Sequence, residues 1–338
     1  MKIESKATRR LFMQSTALAG AASMAFGQSG AEVPKRPLGK TGLSVSVMGV
    51  GGYHLGTAGS QEEATQIVQT AIEAGINFFD CAWDYHKGVS EERLGTALQG
   101  KRDQVILMTK VCTHGRDKNV AMRQLEESLI RLKTDHLDVW QIHEVIYDDD
   151  PDKIFAPNGA IEALDAAKKQ GKVRFVGFTG HKDPDIHLKM LSHNYPFDTV
   201  QLPINILDGG YARSFERMVL PELIKRGIAP LGMKSLSGSG EAVVNGVFTA
   251  HEGLRYAMSV PGIGTTISGM ESMEILRQNL EVARGFQPLS ASERAQLRDR
   301  SALYAADGRY ELFKTTKKYD GDVGREQHHF PTAEELPL

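Results

Sequence analysis

Cysteine is scarce: Cys81 and Cys112 are the only two in 338 residues. Two thiols cannot build a disulfide framework, nor a zinc or iron–sulfur centre made of thiolates. An excess of either charge is missing too. Basic residues number 40 and acidic ones 42, a formal net charge of −2. That leaves no basic field for nucleic acid or anionic lipid. No apolar run reaches the roughly 20 residues that a membrane-spanning helix needs, so no stable membrane anchor is expected. No G-x-G-x-x-G opens the first helical pattern, which counts against a doubly wound dinucleotide-binding sheet. What remains is 41% hydrophobic and 24% charged residues, the balance of a soluble globular chain.

The first 27 residues differ from the rest. A short charged stretch holds Lys2, Lys6, Arg9 and Arg10, and a small and apolar run follows from Ser15 to Phe26. Ala25 and Gly27 then offer small residues where a signal peptidase cuts. The Arg9-Arg10 pair in TRRLFMQ resembles the twin-arginine export consensus. That resemblance implies the twin-arginine machinery as a partner and a periplasmic or otherwise exported protein. The route is understood to carry chains already folded, often with a cofactor inside.

From 28 to 34 the chain reads as a linker, and a turn-rich stretch PKRPLGKTGLSVS follows. Short apolar runs then alternate with amphipathic ones. The apolar runs are SVMGVGG, INFFDCAW, QVILMTKVC, LDVWQIHEV, RFVGFTG, TVQLPIN, IAPLGMKSL and GTTISG. Between them, patterns such as EEATQIVQTAIEAG place Ala64, Ile67, Val68, Ala71 and Ile72 at helical spacing. Roughly eight such units over about 250 residues predict an α/β fold, a (β/α)₈ TIM barrel spanning 35–309. The pattern alone separates it from a doubly wound sheet only modestly. A further helix is expected over SASERAQLRDRSALYAADG, and the segment 310–338 reads as a polar loop lying over the barrel.

Barrel enzymes carry their reactive groups at the C-terminal ends of strands. The second apolar run ends in Asp80, with Tyr85 five residues on. The third ends in Lys110 and the fourth in His143. Singly, each has an ordinary explanation as a turn cap, a solvent-reaching lysine or a structural histidine. Together they are the types that one proton-transfer relay requires. In this arrangement the chain resembles the aldo-keto reductase family over nearly all of 35–300. Asp80, Tyr85, Lys110 and His143 stand where that family keeps its catalytic tetrad. GKVRFVGFTG, VQLPIN and PGIGTTISGMESMEILRQN resemble its later segments. The resemblance implies an NAD(P)-dependent oxidoreductase that interconverts a carbonyl (aldehyde, ketone or keto-sugar) and its alcohol, with Tyr85 as proton donor or acceptor. A hydride delivered to a carbonyl puts negative charge on its oxygen, so a donor must stand beside it. Lys110 would lower the cost of a Tyr85 phenolate, Asp80 would hold Lys110, and His143 would orient the carbonyl.

The resemblance is less orderly on the cofactor side. It places Thr179, Gly180, Gln201, Met233, Lys234, Gly269, Glu271 and Asn279 along the nicotinamide cofactor. Thr179-Gly180 replaces the family's Ser-Asn pair, with His181 one residue later as a substitute that could reach in. Met233 stands where an aromatic ring often stacks, and a thioether can cover the same face. Lys234 either reaches the pyrophosphate or faces solvent. Around the adenosine end, Glu271 favours a ribose hydroxyl while Arg277 complicates that, so NAD and NADP both stay open, with the family leaning to NADP.

Substrate contacts are expected from His143 and from Tyr53 and Trp83 in the mouth loops. The run Asp148 to Asp150 reads as a solvated turn before Pro151. Two other readings are open. One is a non-catalytic nicotinamide-binding module that senses redox state. The other is a glycoside hydrolase using Asp80 with Glu144.

Overall fold

A computed structural model describes residues 31–112, 116–327, 329 and 331–335. The export-signal segment lies outside the described residues. The first strands, β1 (Lys35–Pro37) and β2 (Ser44–Ser46), form an antiparallel hairpin. Eight more follow: β3 (Met48–Gly51), β4 (Phe78–Asp80), β5 (Ile106–Val111), β6 (Leu137–Ile142), β7 (Val173–Thr179), β8 (Thr199–Pro203), β9 (Ala229–Met233) and β10 (Thr265–Gly269). They close into one parallel barrel in chain order, with β10 pairing back onto β3 through Thr266 opposite Met48. The expected (β/α)₈ barrel is the fold.

The helices sit where periodicity and caps coincide. Ser60 Oγ accepts from Glu63 N at 3.1 Å and opens the helix Gln61–Glu73, whose Ala64, Ile67, Val68 and Ala71 are buried against the strands. Burying a side chain such as Ile67 contributes about 2 kcal/mol. Thr249 with Glu252 and Ser290 with Glu293 form reciprocal capping boxes for the helices Ala250–Ser259 and Ala291–Ala305.

Two parts differ from expectation. The turn-rich stretch PKRPLGKTGLSVS is the β1–β2 hairpin, and it plugs the barrel floor. Leu38 and Val45 join Phe78, Met108, Val139 and Leu231 in an inner cluster distinct from the strand–helix core. Gly39 permits this approach, since a Cβ there would lie 2.9 Å from Ala229 Cβ. The C-terminal tail is more than a loop. Its described part forms short helices at Leu312–Thr315 and Asp322–Gln327. Buried charge docks it over the ends of β6 to β9: Lys314 pairs with Asp208 at 2.6 Å, and Lys182 with Asp320 at 2.5 Å.

Candidate active site

Because every barrel strand is parallel, their C-terminal ends share one rim, and the residues that close them converge there. Asp80 ends β4 and Lys110 lies in β5. His143 follows β6, its backbone N–H donating to Val111 O at 2.8 Å. Lys110 Nζ donates to Asp80 Oδ1 at 2.5 Å, to Cys81 O at 2.7 Å and to the Tyr85 hydroxyl at 3.4 Å. The Tyr85 and His143 rings meet edge-on with centroids 5.5 Å apart. The four residues from three strand ends thus form one contiguous group.

Its electrostatics favour a protonated phenol. Burial, then the Asp80 and Asp84 carboxylates, push Tyr85 well above the ordinary phenol range. Lys110 is 1% exposed, and its ammonium is balanced by Asp80 at contact distance. The backbone next to Tyr85 is constrained. His86 and Lys87 hold φ of 51° and 57°, and Gly88 follows at 95°. Two non-glycine residues in succession in the left-handed region are a local strain beside the site.

The sequence profile of the Aldo/keto reductase family matches residues 47–241, which is more than half of the chain and spans β3 to β9. The chain belongs to the aldo/keto reductase family. This aldo/keto reductase is 27% identical over 290 residues to the uncharacterized oxidoreductase YqkF of Bacillus subtilis (strain 168), covering 74% of this chain and 90% of that protein. It is 29% identical over 297 residues to L-galactose dehydrogenase of Arabidopsis thaliana, with 78% and 92% covered. A solved aldo/keto reductase from Klebsiella pneumoniae, in complex with NADP and acetate, superposes with a TM-score of 0.63 at 25% identity. It covers 77% of this chain and 92% of that one. The protein is an NAD(P)-dependent oxidoreductase acting between carbonyl and alcohol.

The ends of β7, β8 and β10 carry polar groups that suit a nicotinamide. Gln201 Nε2 donates to Asp80 Oδ2 at 3.2 Å, while its buried Oε1 has no partner among the described residues. An orphaned buried acceptor fits an amide donor such as the nicotinamide carboxamide. Thr179 Oγ1 donates weakly to Met233 Sδ at 3.9 Å, so both side chains share one wall. Gly180 can present only backbone, since a Cβ there would lie 2.2 Å from Val145 O. Asn279 Nδ2 donates to Ser268 Oγ and Gly269 O at 3.1 and 3.0 Å, bracing the end of β10. Gly269 lies under the His54 ring, 2.4 Å from Nδ1 to an ideal Cβ. Glu271 is half-buried and Arg277 exposed on the following helix, Met273–Ala283.

Several residues sit otherwise than expected. Trp83 is held by the neighbouring helix: Nε1 donates to Glu127 Oε2 at 2.7 Å, and Arg131 lies 5.4 Å over its ring, so it anchors a loop to the helix Lys118–Leu132. Tyr53 does border the site, half exposed and edge-on to Tyr85 at 5.3 Å. His181, the substitute that could reach in, lies under the tail. It is buried, with Nδ1 3.3 Å from Phe313 O, and burial lowers its pKa. Lys234 is half-buried, its ammonium 4.9 Å over the Phe313 ring, and burial brings it down to about 8. Asp150 is not in a solvated turn: it is fully buried and paired with Arg116 at 2.8 Å. Arg116 also donates to the carbonyls of His143 and Glu144 at 3.1 and 3.0 Å, bracing the loop after β6.

Three contributors were not singled out from the sequence. Asp84 lies within the motif that carries Tyr85, so an acidic residue next to the tyrosine was a usable signal. Phe313 reaches the site from a distant segment and Arg116 from the loop after β5, and nothing local marks either. Cys81 and Cys112 are buried and unbonded to each other.

Proposed function

We propose that Asp80, Tyr85, Lys110 and His143 are the catalytic residues of this oxidoreductase, that it works after twin-arginine export, and that it acts on sugars or related polyols. The observation carrying the first part is the Lys110 ammonium, held by Asp80 and Cys81 O and directed at the Tyr85 hydroxyl. Thr179, Gly180, Gln201, Met233, Lys234, Gly269, Glu271 and Asn279 would hold NAD(P), which supplies or takes up hydride when bound. Tyr85 then gives its proton to the substrate oxygen in reduction and takes one in oxidation. Lys110 offsets the charge left on the phenol oxygen, and Asp80 keeps Lys110 in place. His143 orients the substrate oxygen.

A pure redox sensor would have no use for the Lys110–Tyr85 contact. A glycoside hydrolase would need free carboxylates, whereas Asp80 is held by Lys110 and Gln201, and Glu144 accepts from Gly321 N at 3.1 Å. The sugar reading draws on the relative named L-galactose dehydrogenase and on the half-exposed Tyr53 ring beside Tyr85. Aromatic faces commonly stack on sugars.

Export takes the enzyme away from an exchangeable nicotinamide pool. The cofactor would therefore be loaded before export and recycled in place, one substrate being oxidised as another is reduced. The test is to express the full chain, recover it from the periplasm, denature it and measure the nucleotide released. Stoichiometric NAD(P)(H) supports a preloaded enzyme and identifies the nucleotide. Protein that stays in the cytoplasm, or that arrives empty with binding weaker than micromolar, overturns the export and retention reading.

A further inference from the structure

Among the described residues, Asp84, Cys112 and His143 offer a carboxylate oxygen, a thiol sulfur and an imidazole nitrogen that lie within 4.8 Å of one another. They come from the ends of β4, β5 and β6, three neighbouring strands of the closed barrel. Asp84 Oδ1 is 2.9 Å from His143 Nδ1, with side chains 13% and 8% exposed, and Cys112 is fully buried. A hydrogen bond between aspartate and histidine needs no thiol beside it. A carboxylate, an imidazole and a thiol converging on one point are the donor types that zinc takes.

We propose that Asp84, Cys112 and His143 form a binding site for a zinc-type divalent cation, and that the bound ion arrests turnover by taking His143 from the substrate. The second half rests on the reading that His143 orients the substrate oxygen; the site itself does not.

Geometry and charge both suit such an ion. Zinc holds sulfur at about 2.3 Å and nitrogen or oxygen at about 2.0–2.2 Å, so its tetrahedral ligand atoms stand about 3.3–3.6 Å apart. Asp84 and His143 therefore part by a few tenths of an ångström, and the Cys112 sulfur closes by at most about 1.5 Å. Side-chain rotation covers these shifts while the main chain stays braced. The His143 N–H donates to Val111 O at 2.8 Å, and Gln124 Nε2 donates to Cys112 O at 2.8 Å. The charges around the sulfur include the Asp84, Glu144 and Asp150 carboxylates and the Arg116 guanidinium. Arg116 is paired with Asp150 at 2.8 Å, and Lys110 with Asp80 at 2.5 Å. With those pairs neutralised, Asp84 and Glu144, which accepts from Gly321 N, supply negative charge that a dication offsets. On binding, the metal–sulfur bond forms as the Cys112 thiol gives up its proton to water. His143 Nδ1 then bonds the ion instead of Asp84. The ring is drawn toward Cys112, out of its edge-on place against Tyr85.

The experiment titrates the full chain, stripped with EDTA, with buffered Zn²⁺, and with Co²⁺ as a spectroscopic substitute, beside turnover of 4-nitrobenzaldehyde with NAD(P)H. One Zn²⁺ binds per chain with a Kd below about 10 µM. The Co²⁺ form shows thiolate-to-metal charge transfer in the near ultraviolet. Turnover falls about a hundredfold at saturation, and EDTA restores it. Cys112→Ala turns over like the wild type without zinc, escapes inhibition and loses at least about a hundredfold in zinc affinity. Asp84→Asn, which keeps the shape and removes the charge, weakens binding to a similar degree. The site is overturned by wild-type binding weaker than about 10 µM, or by a missing charge-transfer band. It is also overturned if Cys112→Ala binds zinc like the wild type, which would put the ion elsewhere. Should Cys112→Ala fail to fold, Asp84→Asn decides by the same criterion. Arrest through His143 is overturned if the zinc-saturated wild type keeps its zinc-free rate. A wild type with no turnover on any carbonyl would instead sink the catalytic reading, while zinc affinity and the cobalt band still decide the site.

Discussion

Lys110 and Asp80 form a buried ion pair at 2.5 Å, with side chains 1% and 4% exposed, at the centre of the barrel rim. Removing one partner strands a charge in a place where water cannot screen it. Asp80→Ala is therefore expected to lower stability by about 3–5 kcal/mol as well as abolish turnover. Lys110→Met, isosteric and apolar, should lose turnover by about 10²–10⁴-fold. Denaturant unfolding beside kinetics separates the two. Near-wild-type turnover in Lys110→Met would remove Lys110 from the mechanism.

Gly180 stands where the resemblance expects an amide. The structure gives a reason: Val145 O would lie 2.2 Å and His187 Cε1 2.8 Å from a Cβ. Gly180→Asn should consequently cost about 1–3 kcal/mol through overpacking and should not tighten nucleotide binding. Tighter NADP binding at unchanged stability would show that the backbone yields there.

His187 is fully buried between the Phe178 and Phe215 rings, with centroids 5.1 and 5.0 Å away. Burial lowers its pKa from 6.5 to about 3. Between those values the unfolded chain binds a proton that the folded chain refuses. Stability from this site is full above about pH 6.5 and declines as pH falls, by about 1.4 kcal/mol per unit. His187→Leu should flatten that slope. Denaturant midpoints at pH 7 and pH 5 that shift equally in wild type and variant would contradict it.

Lys314 ties the tail down, 2.6 Å from Asp208 Oδ1 and 2.8 Å from Glu311 Oε2, all three side chains at most 3% exposed. Lys314→Met leaves two buried carboxylates facing each other. The expected loss is about 3–5 kcal/mol, with protease cutting near 310–327 before the barrel opens. A tail that stays protease-resistant would show that Phe313 packing alone holds it.

The eight apolar runs were legible because a strand buried on both faces must be apolar throughout, and each became a barrel strand. Asp80, Tyr85, Lys110 and His143 were legible as the polar residues that interrupt those runs at one end. The β1–β2 hairpin was not, because Gly39 and Gly42 read equally as a loose turn. The helices Val89–Ala97 and Ala250–Ser259 also escaped the pattern reading. The first carries buried Ser90, Glu91 and Gly95 on its inner face, which dilutes the apolar stripe.

Local chemistry along the chain therefore determined the barrel, the family and which strand ends bear ionisable groups, since burial and helical period act over a few residues. Tertiary structure alone decided the rest. It tied Trp83 to Glu127 and Arg131, buried Asp150 on Arg116, brought the tail's Phe313 against His181 and Lys234, and set Asp84 against His143. Those pairings join residues 34 to 132 positions apart. No local pattern encodes such a contact, because it depends on how the closed barrel brings its loops together.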